Sequence, residues 1–263
     1  MATRYYTSDL HFGSSVLLDK KAMLGDARPF DSLYDMHVAL LKAMSIAKKD
    51  DVIIHLGDLA GIGKDREWEG ITKTQAKALL DSIDCTKIFI EGNHDICNDV
   101  YPTAGKLLIE QIGGHMVTMQ HYSSDHCEFI YVDLYSKLTY KGQKVIINIC
   151  GHVHNLFKVW FDDSRNVLNI NVGIDKNKFK LYSEADLNAL ISNAEAYLKC
   201  LEDDETLSYD MWFKHYMKEK NADKHIKRIK SAQYKLMHKP WLLADKEKRL
   251  LESLEVSKNL KTI

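Results

Sequence analysis

No stretch of this 263-residue chain stays apolar for the roughly 20 residues that would span a bilayer, so no membrane-crossing segment is expected. Cysteine is sparse and unpatterned. Cys85, Cys97, Cys127, Cys150 and Cys200 form no paired spacing, and an odd count does not suit a disulfide framework. With a start that has no signal-like character, this points to a reducing compartment, the cytoplasm. Internal repeats and low-complexity tracts are missing as well. Net charge is almost absent: 36 basic against 37 acidic residues leave −1, which selects no partner when taken whole.

The distribution of charge says more. Residues 206–263 hold 14 Lys and Arg against 7 acids, a net of +7, whereas residues 1–205 hold 22 against 30, a net of −8. Apolar residues at 45% and charged ones at 28% are ordinary for a globular protein with an ample core. The expectation is therefore one domain over residues 1–205 and a basic helical C-terminal extension over residues 206–263.

Along the chain, the β-prone run Arg4 to Ser8 delivers Asp9-Leu10-His11. Asp31 or Ser32 caps a helix through about Lys49, because Leu33, Met36, Leu40, Leu41 and Met44 share one stripe, and Lys48-Lys49 suit its dipole. The apolar run Val52-Ile53-Ile54 reads as a buried central strand leading to Gly57-Asp58. A second amphipathic helix spans Thr72 to about Ile83, and the strand Lys87 to Ile90 ends in Glu91-Gly92-Asn93-His94-Asp95. Strands alternating with helices imply parallel pairing.

Ala104 to about Ile112 reads as a helix stopped by Gly113-Gly114, and Met116 to Gln120 as a strand carrying His121. Glu128 to Tyr140 and Lys144 to Ile149 flank Lys141-Gly142 as a hairpin whose second arm runs into Cys150-Gly151-His152-Val153-His154. Val159 to Phe161 and Val167 to Val172 form another, around Asp162-Asp163-Ser164. Ser183 and Asp186 make a capping box for a helix through about Leu201. Past Glu205 only helices are expected. Leu207, Met211 and His215 share one face, Ile226, Ile229, Gln233 and Leu236 another, and a last helix after Pro240 carries Leu243, Leu250 and Leu254.

Potential ligands thus stand at five strand ends: Asp9 and His11, Asp58, Asn93 with His94, His121, and His152 with His154. Mixed imidazole and carboxylate donors suit zinc, iron, manganese or nickel rather than calcium. Even with His94 set aside, seven ligands are too many for one ion and fit two that share a carboxylate. Two ions roughly 3.5–4 Å apart clamp a phosphoryl group and activate water between them.

These blocks, in this order, resemble the calcineurin-like metallophosphoesterases over roughly residues 4 to 187. The similarity is greatest to the small single-domain members of bacteria and phages. Those share the start Tyr6-Thr7-Ser8-Asp9-Leu10-His11-Phe12-Gly13, the Arg28-Pro29-Phe30 run, and Asn171-Val172-Gly173-Ile174-Asp175. The resemblance implies an α/β fold, a four-layer αββα sandwich of two mixed sheets, here with a C-terminal helical appendage. It implies a dinuclear-metal phosphoesterase that hydrolyses a phosphomonoester or phosphodiester, such as a nucleotide, through metal-bound hydroxide. Asp9, His11 and His154 would hold the first metal, Asn93, His121 and His152 the second, and Asp58 would bridge them. His94 would protonate the leaving oxygen, with Asp95 orienting it. Manganese is the metal expected first, with iron, zinc and nickel as the others.

Two departures stand out. Ser14 occupies a position where many relatives carry His, and the lone-His block reads His121-Tyr122-Ser123 where the family has His-Tyr-Pro. His115 and His126 are rivals to His121. Elsewhere the plain readings prevail. His37 and His55 are structural, Cys150 is buried, Trp160 and Phe161 pack the core, and Asp162-Asp163 make a turn. Trp212, Phe213, Tyr216, Tyr234 and Trp241 pack the extension onto the body or a second subunit. Its lysines are more often a solvated face than a nucleic-acid surface. Two other functions remain beside the phosphoesterase: a nuclease holding nucleic acid with the basic tail, whose binding would weaken steeply with salt, and a non-catalytic scaffold that keeps the fold without metals.

Overall fold

Three short runs of β-branched and aromatic residues build the first sheet. Strands β1 (Arg4–Thr7), β2 (Val52–Leu56) and β3 (Thr86–Ile90) lie parallel, with Tyr6 opposite Ile54 and Ile54 opposite Ile88. A computed structural model describes residues 2–19, 28–60, 73–95, 101–126, 136–216 and 218, and the chain divides into two units, residues 1–210 and 211–263. In the first unit, α1 (Leu33–Met44) and α2 (Lys73–Asp81) make the crossovers between the parallel strands. Met36, Leu40 and Met44 of α1 and Leu80 of α2 pack with Ile53 and Phe89, each buried apolar side chain contributing about 1.5–3 kcal/mol.

Ser32 caps α1 by accepting the Asp35 N–H at 3.1 Å. The helix ends at Met44, not at Lys49 as expected. The Asp51 carboxylate accepts the N–H groups of Lys48 at 2.8 Å and Thr3 at 2.7 Å, and so turns the chain into β2 before a further helical turn can form.

The second sheet comprises β4 (Leu107–Ile112), β5 (His115–Gln120), β8 (Ile146–Cys150), β9 (Val159–Asp162) and β10 (Val167–Asn171), in the order β4-β5-β8-β10-β9. Its inner strands β5, β8 and β10 are parallel, its edges antiparallel, and every residue of β8 and β10 is buried. The Glu110 carboxylate of β4 reaches Arg4 at 2.9 Å and accepts from the Tyr6 hydroxyl at 3.5 Å, tying this sheet to β1.

The expected helix over Ala104 to Ile112 is instead strand β4. Ile112 pairs with His115, so Gly113-Gly114 is a two-residue hairpin turn, with φ of 57° and 80°. Positive φ at both positions is the type I′ geometry that matches strand twist. The double glycine that looked like a helix stop joins two antiparallel strands. Lys141 and Gly142 make a second such turn, φ 47° and 78°, between the very short β6 (Thr139–Tyr140) and β7 (Gln143–Lys144). Residues 128–135 of the arm expected there lie outside the described residues.

Strand β11 (Tyr182–Ser183) closes the first sheet antiparallel to β1, and α3 (Glu184–Asp203) packs against β11, β1, β4 and β6. Its capping box is complete: the Ser183 hydroxyl accepts the Asp186 N–H at 3.2 Å and the Asp186 carboxylate accepts the Ser183 N–H at 2.9 Å. Ser183→Ala should lower the unfolding free energy by about 1 kcal/mol, seen as an earlier urea midpoint at unchanged slope.

Two mixed sheets accompanied by helices, with a C-terminal helix, are the α/β arrangement expected above. Of the second unit, residues 211–216 and 218 are described and helical, and the rings of Trp212 and Tyr216 stack at 4.9 Å. The later helices expected around Ile226 to Leu236 and Leu243 to Leu254, with Tyr234 and Trp241, lie outside the described residues, as do Cys97 and Cys127. No described helix is long and apolar enough to cross a membrane.

Candidate metal centre

All the parallel strands of both sheets end at one place. Asp9 and His11 follow β1, Asp58 follows β2, Asn93 follows β3, His121 follows β5, and His152 with His154 follow β8. The sheets join there. Ser8 and Gly173 form a parallel bridge and the Ile174 N–H donates to the Ser8 carbonyl at 3.1 Å, while within the second sheet the Gly151 N–H donates to the His121 carbonyl at 2.9 Å. Gly57 permits the closest approach. With φ at +90°, a Cβ on it would stand 2.6 Å from His121 Nδ1 and 2.7 Å from Gly92 Cα.

Every residue expected in the site comes together here. The ligand atoms of Asp9, His11 and His154 lie within 4.8 Å of one another, and so do those of Asp58, His121 and His152. Asp58 Oδ2 stands between the groups, 3.4 Å from His11 Nε2 and 3.3 Å from His121 Nε2. The Asn93 side-chain oxygen lies 2.9 Å from His121 Nε2 and 3.0 Å from His152 Nδ1. Such a donor set suits divalent transition ions. His11 Nε2 supplies an independent sign of fit, because it is buried and has no hydrogen-bond partner. A buried ring nitrogen without a partner is costly unless a ligand takes its lone pair.

The backbone is bent to make this convergence. Asp9 (φ 58°), His11 (48°), Asp58 (59°), His152 (69°) and His154 (44°) are all left-handed. Each such residue costs on the order of 1 kcal/mol, and the cost persists only where surrounding bonds dictate the shape. Those bonds are present. The N–H groups of Asp9 and His11 donate to the carbonyls of Gly57 and Asp58 at 3.0 Å, and the His152 N–H donates to the Asp9 carboxylate at 3.0 and 3.1 Å.

A further layer aims the imidazoles. His121 Nδ1 donates to the Leu56 carbonyl at 2.7 Å, leaving Nε2 for the centre, and His154 Nδ1 donates to Asp175 Oδ2 at 2.8 Å to the same effect. Arg28, 4% exposed, grips Asp175 with both Nε (2.8 Å) and Nη2 (3.0 Å), and also donates to the carbonyls of Leu10 (2.8 Å) and Asp9 (2.5 Å). It thereby locks the loop after β1 to the loop after β10. The buried Asn171 side chain donates to the carbonyls of His154 and Phe157, both at 2.8 Å. Asp95 accepts the backbone N–H groups of Asp58 (2.6 Å), Leu59 (3.1 Å) and Gly92 (2.9 Å), so its carboxylate shapes the strand ends that carry Asp58 and Asn93. His94 is exposed, its N–H donates to Asp58 Oδ1 at 2.8 Å, and its ring stands edge-on to His11 at 5.2 Å.

Burial opposes charge throughout the site. It pushes the Asp9 carboxyl up, sends His11 well below the usual imidazole range, and with the neighbouring His121 brings His152 down to about 4. Burial would lower His121 too, but the Asp58 carboxylate outweighs it and raises that imidazole to about 9. For Asp175, burial is likewise outweighed by His154 and Arg28, which hold the carboxyl at about 2.

Of the rival histidines, His115 begins β5, at the opposite end from His121, and its Nδ1 accepts the Lys137 N–H at 3.2 Å. His126 is exposed beside His152, at 5.6 Å between rings. His37 accepts the Gly13 N–H at 2.9 Å, and His55 lies within β2, buried against Phe89 and outside both three-residue groups, so both are structural as expected. Cys150 is fully buried.

Arg28 and Asp175 were quoted in the sequence only as shared motifs, without roles. Asp175→Asn should weaken metal binding by about 10- to 100-fold, read by titration with manganese. In the metal-free protein the depressed Asp175 carboxyl stabilises the fold fully above about pH 4, and this contribution, about 2 kcal/mol, is lost as pH falls through about 2. The variant should therefore show a shallower acid limb in its stability profile.

A family model for calcineurin-like phosphoesterases matches residues 5–227. No curated protein is similar enough to the chain to count as a match. Among solved structures, the chain is similar to a protein of unknown function, AQ665, from Aquifex aeolicus, with 18% identity over 72% of this chain and all of that one, at a TM-score of 0.48. The family match covers both sheets and every strand end that carries a site residue, and on that ground the chain belongs to the calcineurin-like phosphoesterases.

Proposed function

We propose that this chain is a dinuclear-metal phosphoesterase, hydrolysing a phosphomonoester or phosphodiester, with a nucleotide as a fitting substrate. The observation that carries the reading is the pair of three-residue groups, with Asp58 of the second group 3.4 Å from His11 of the first. Asp9, His11 and His154 would hold one ion, Asn93, His121 and His152 the other, and Asp58 would touch both. Two such ions, manganese foremost, when bound neutralise phosphoryl oxygens and make water nucleophilic near neutral pH.

The chain's own groups supply the rest. Leu56 and Asp175 fix His121 and His154 in the tautomers that face inward. Asp95 and Arg28 are positioning residues. The first sets the backbone around Asp58, and the second holds the carbonyls of Asp9 and Leu10 in place. His94, exposed next to His11, would give a proton to the departing oxygen, a role neither ion can fill. Residues 1–205 would hold the whole activity, with the basic segment 206–263 as an appendage. Cys85, Cys150 and Cys200 are free thiols, which suits a reducing cytoplasm.

The test is to load purified protein with manganese, nickel, zinc or iron and assay mono- and bis-aryl phosphates, nucleotides and nucleic acids. About two equivalents of metal with hydrolysis of an aryl ester are expected. Fewer than one equivalent after manganese loading would favour the scaffold instead.

A further inference from the structure

Once His121 occupies the centre, Tyr122 and His126 are left without a part in it. Both stand against the second group of ligands. The His152 ring meets Tyr122 at 4.8 Å and His126 at 5.6 Å, with interplanar angles of 64° and 76°. Tyr122 also meets His121 edge-on at 5.1 Å. Neither ring belongs to the core, since Tyr122 is half-buried and the His126 side chain is 56% exposed. The ion-pair partner of His126 among the described residues is Asp125, at 3.6 Å. His94 lies against the other group, 5.2 Å from His11. Among the described residues the two sides of the centre therefore differ: an exposed imidazole, His94, stands beside the first group, and the rings of Tyr122 and His126 stand beside the second.

In-line displacement at phosphorus decides what each side can touch. The leaving oxygen departs towards its proton donor, so with His94 in that role it leaves on the His11 side. A phosphodiester keeps a second ester arm, which lies in the equatorial plane and cannot follow the leaving group. Among the described residues, the rings beside the second group that have no ligand role are Tyr122 and His126, and they are the ones offered to an arm that lies across the line of displacement. Rings presented at a mouth recognise planar groups by stacking, and a methyl group gains little from them.

We infer that Tyr122 and His126 form the subsite for the retained arm of a phosphodiester, and that the arm it takes carries a planar aromatic ring. The inference rests on the phosphoesterase reading above. Leaving-group protonation stays with His94, and the two rings determine which diesters are preferred.

The test uses the manganese-loaded full chain with phenyl 4-nitrophenyl phosphate and methyl 4-nitrophenyl phosphate. These two share leaving group and charge and differ only in the retained arm. Wild type should favour the phenyl ester in kcat/KM by about ten-fold. Tyr122→Ala and His126→Ala should each cut that ratio several-fold, whatever they do to the methyl ester, and Tyr122→Phe, which keeps the ring, should restore it. A wild type that cleaves the methyl ester but shows no phenyl preference, or alanine variants with an unchanged ratio, would overturn this inference and leave the phosphoesterase reading standing. A wild type that cleaves neither diester would overturn the subsite, and only failure on 4-nitrophenyl phosphate as well would remove the phosphoesterase reading.

Discussion

Asp58→Asn is expected to reduce bound metal from two equivalents to one or fewer and to lower turnover of an aryl phosphate by at least about 10³-fold. Asp58 belongs to the second group and also approaches the first, at 3.3 Å from His121 and 3.4 Å from His11. Burial disfavours its charge, yet His121 and His11 hold its carboxyl far below the usual range, so the anionic form is the one the site is built around. Asparagine keeps the shape and the Oδ1 acceptor that anchors the His94 N–H. What it lacks is the negative charge and the second anionic oxygen that two cations need in common. Because the amide is nearly isosteric, the backbone should survive, which a far-ultraviolet spectrum can check. Two equivalents of metal and turnover within ten-fold of wild type would show that the ions, if paired, are bridged by something else.

His94→Asn should behave in the opposite way: metal content unchanged, turnover lower by about 10²–10⁴-fold. The imidazole is exposed, whereas His11, 5.2 Å from it, is buried, so the ring can meet a substrate without coordinating an ion. If its task is to protonate the departing oxygen, the loss must depend on what departs. A 4-nitrophenolate leaves readily as an anion and should suffer least, while an alkoxide should suffer most. An equal loss for both would point to a binding role, and loss of metal would contradict the proton-donor assignment outright.

Much of this centre was legible in the sequence because its donors come in short blocks, each directly after a strand. Asp9-Leu10-His11 and Gly151-His152-Val153-His154 carry their chemistry within three or four residues, and the apolar runs before them fix where they sit. The supports were harder to see. Arg28 and Asp175 are 147 residues apart and meet only because the loops after β1 and β10 fold over the same strand ends. A lone arginine or aspartate gives no periodic signal, and only burial with both partners in place reveals its role. Asp95 is expected to orient His94, and its carboxylate also accepts the backbone N–H groups of Asp58, Leu59 and Gly92, a task the sequence does not show. Backbone partners leave no trace in a sequence.

The misreading of residues 104–112 has a plain cause. Leu107, Leu108, Ile109 and Ile112 fit one face of a helix as well as they fit a strand, so pattern alone could not decide. The deciding feature was Gly113-Gly114, whose positive φ values make a hairpin turn as readily as they end a helix. The overlong α1 is a similar case. Apolar spacing continued past Met44, but the Asp51 carboxylate captured the Lys48 N–H and drew the chain away into β2.

The most direct test is a crystal structure of the manganese-loaded protein with an anomalous difference map. Two peaks are predicted, roughly 3.5–4 Å apart, one among Asp9, His11 and His154 and the other among Asn93, His121 and His152, with the Asp58 carboxylate touching both. A single peak, or strong peaks away from Asp58, would contradict the account.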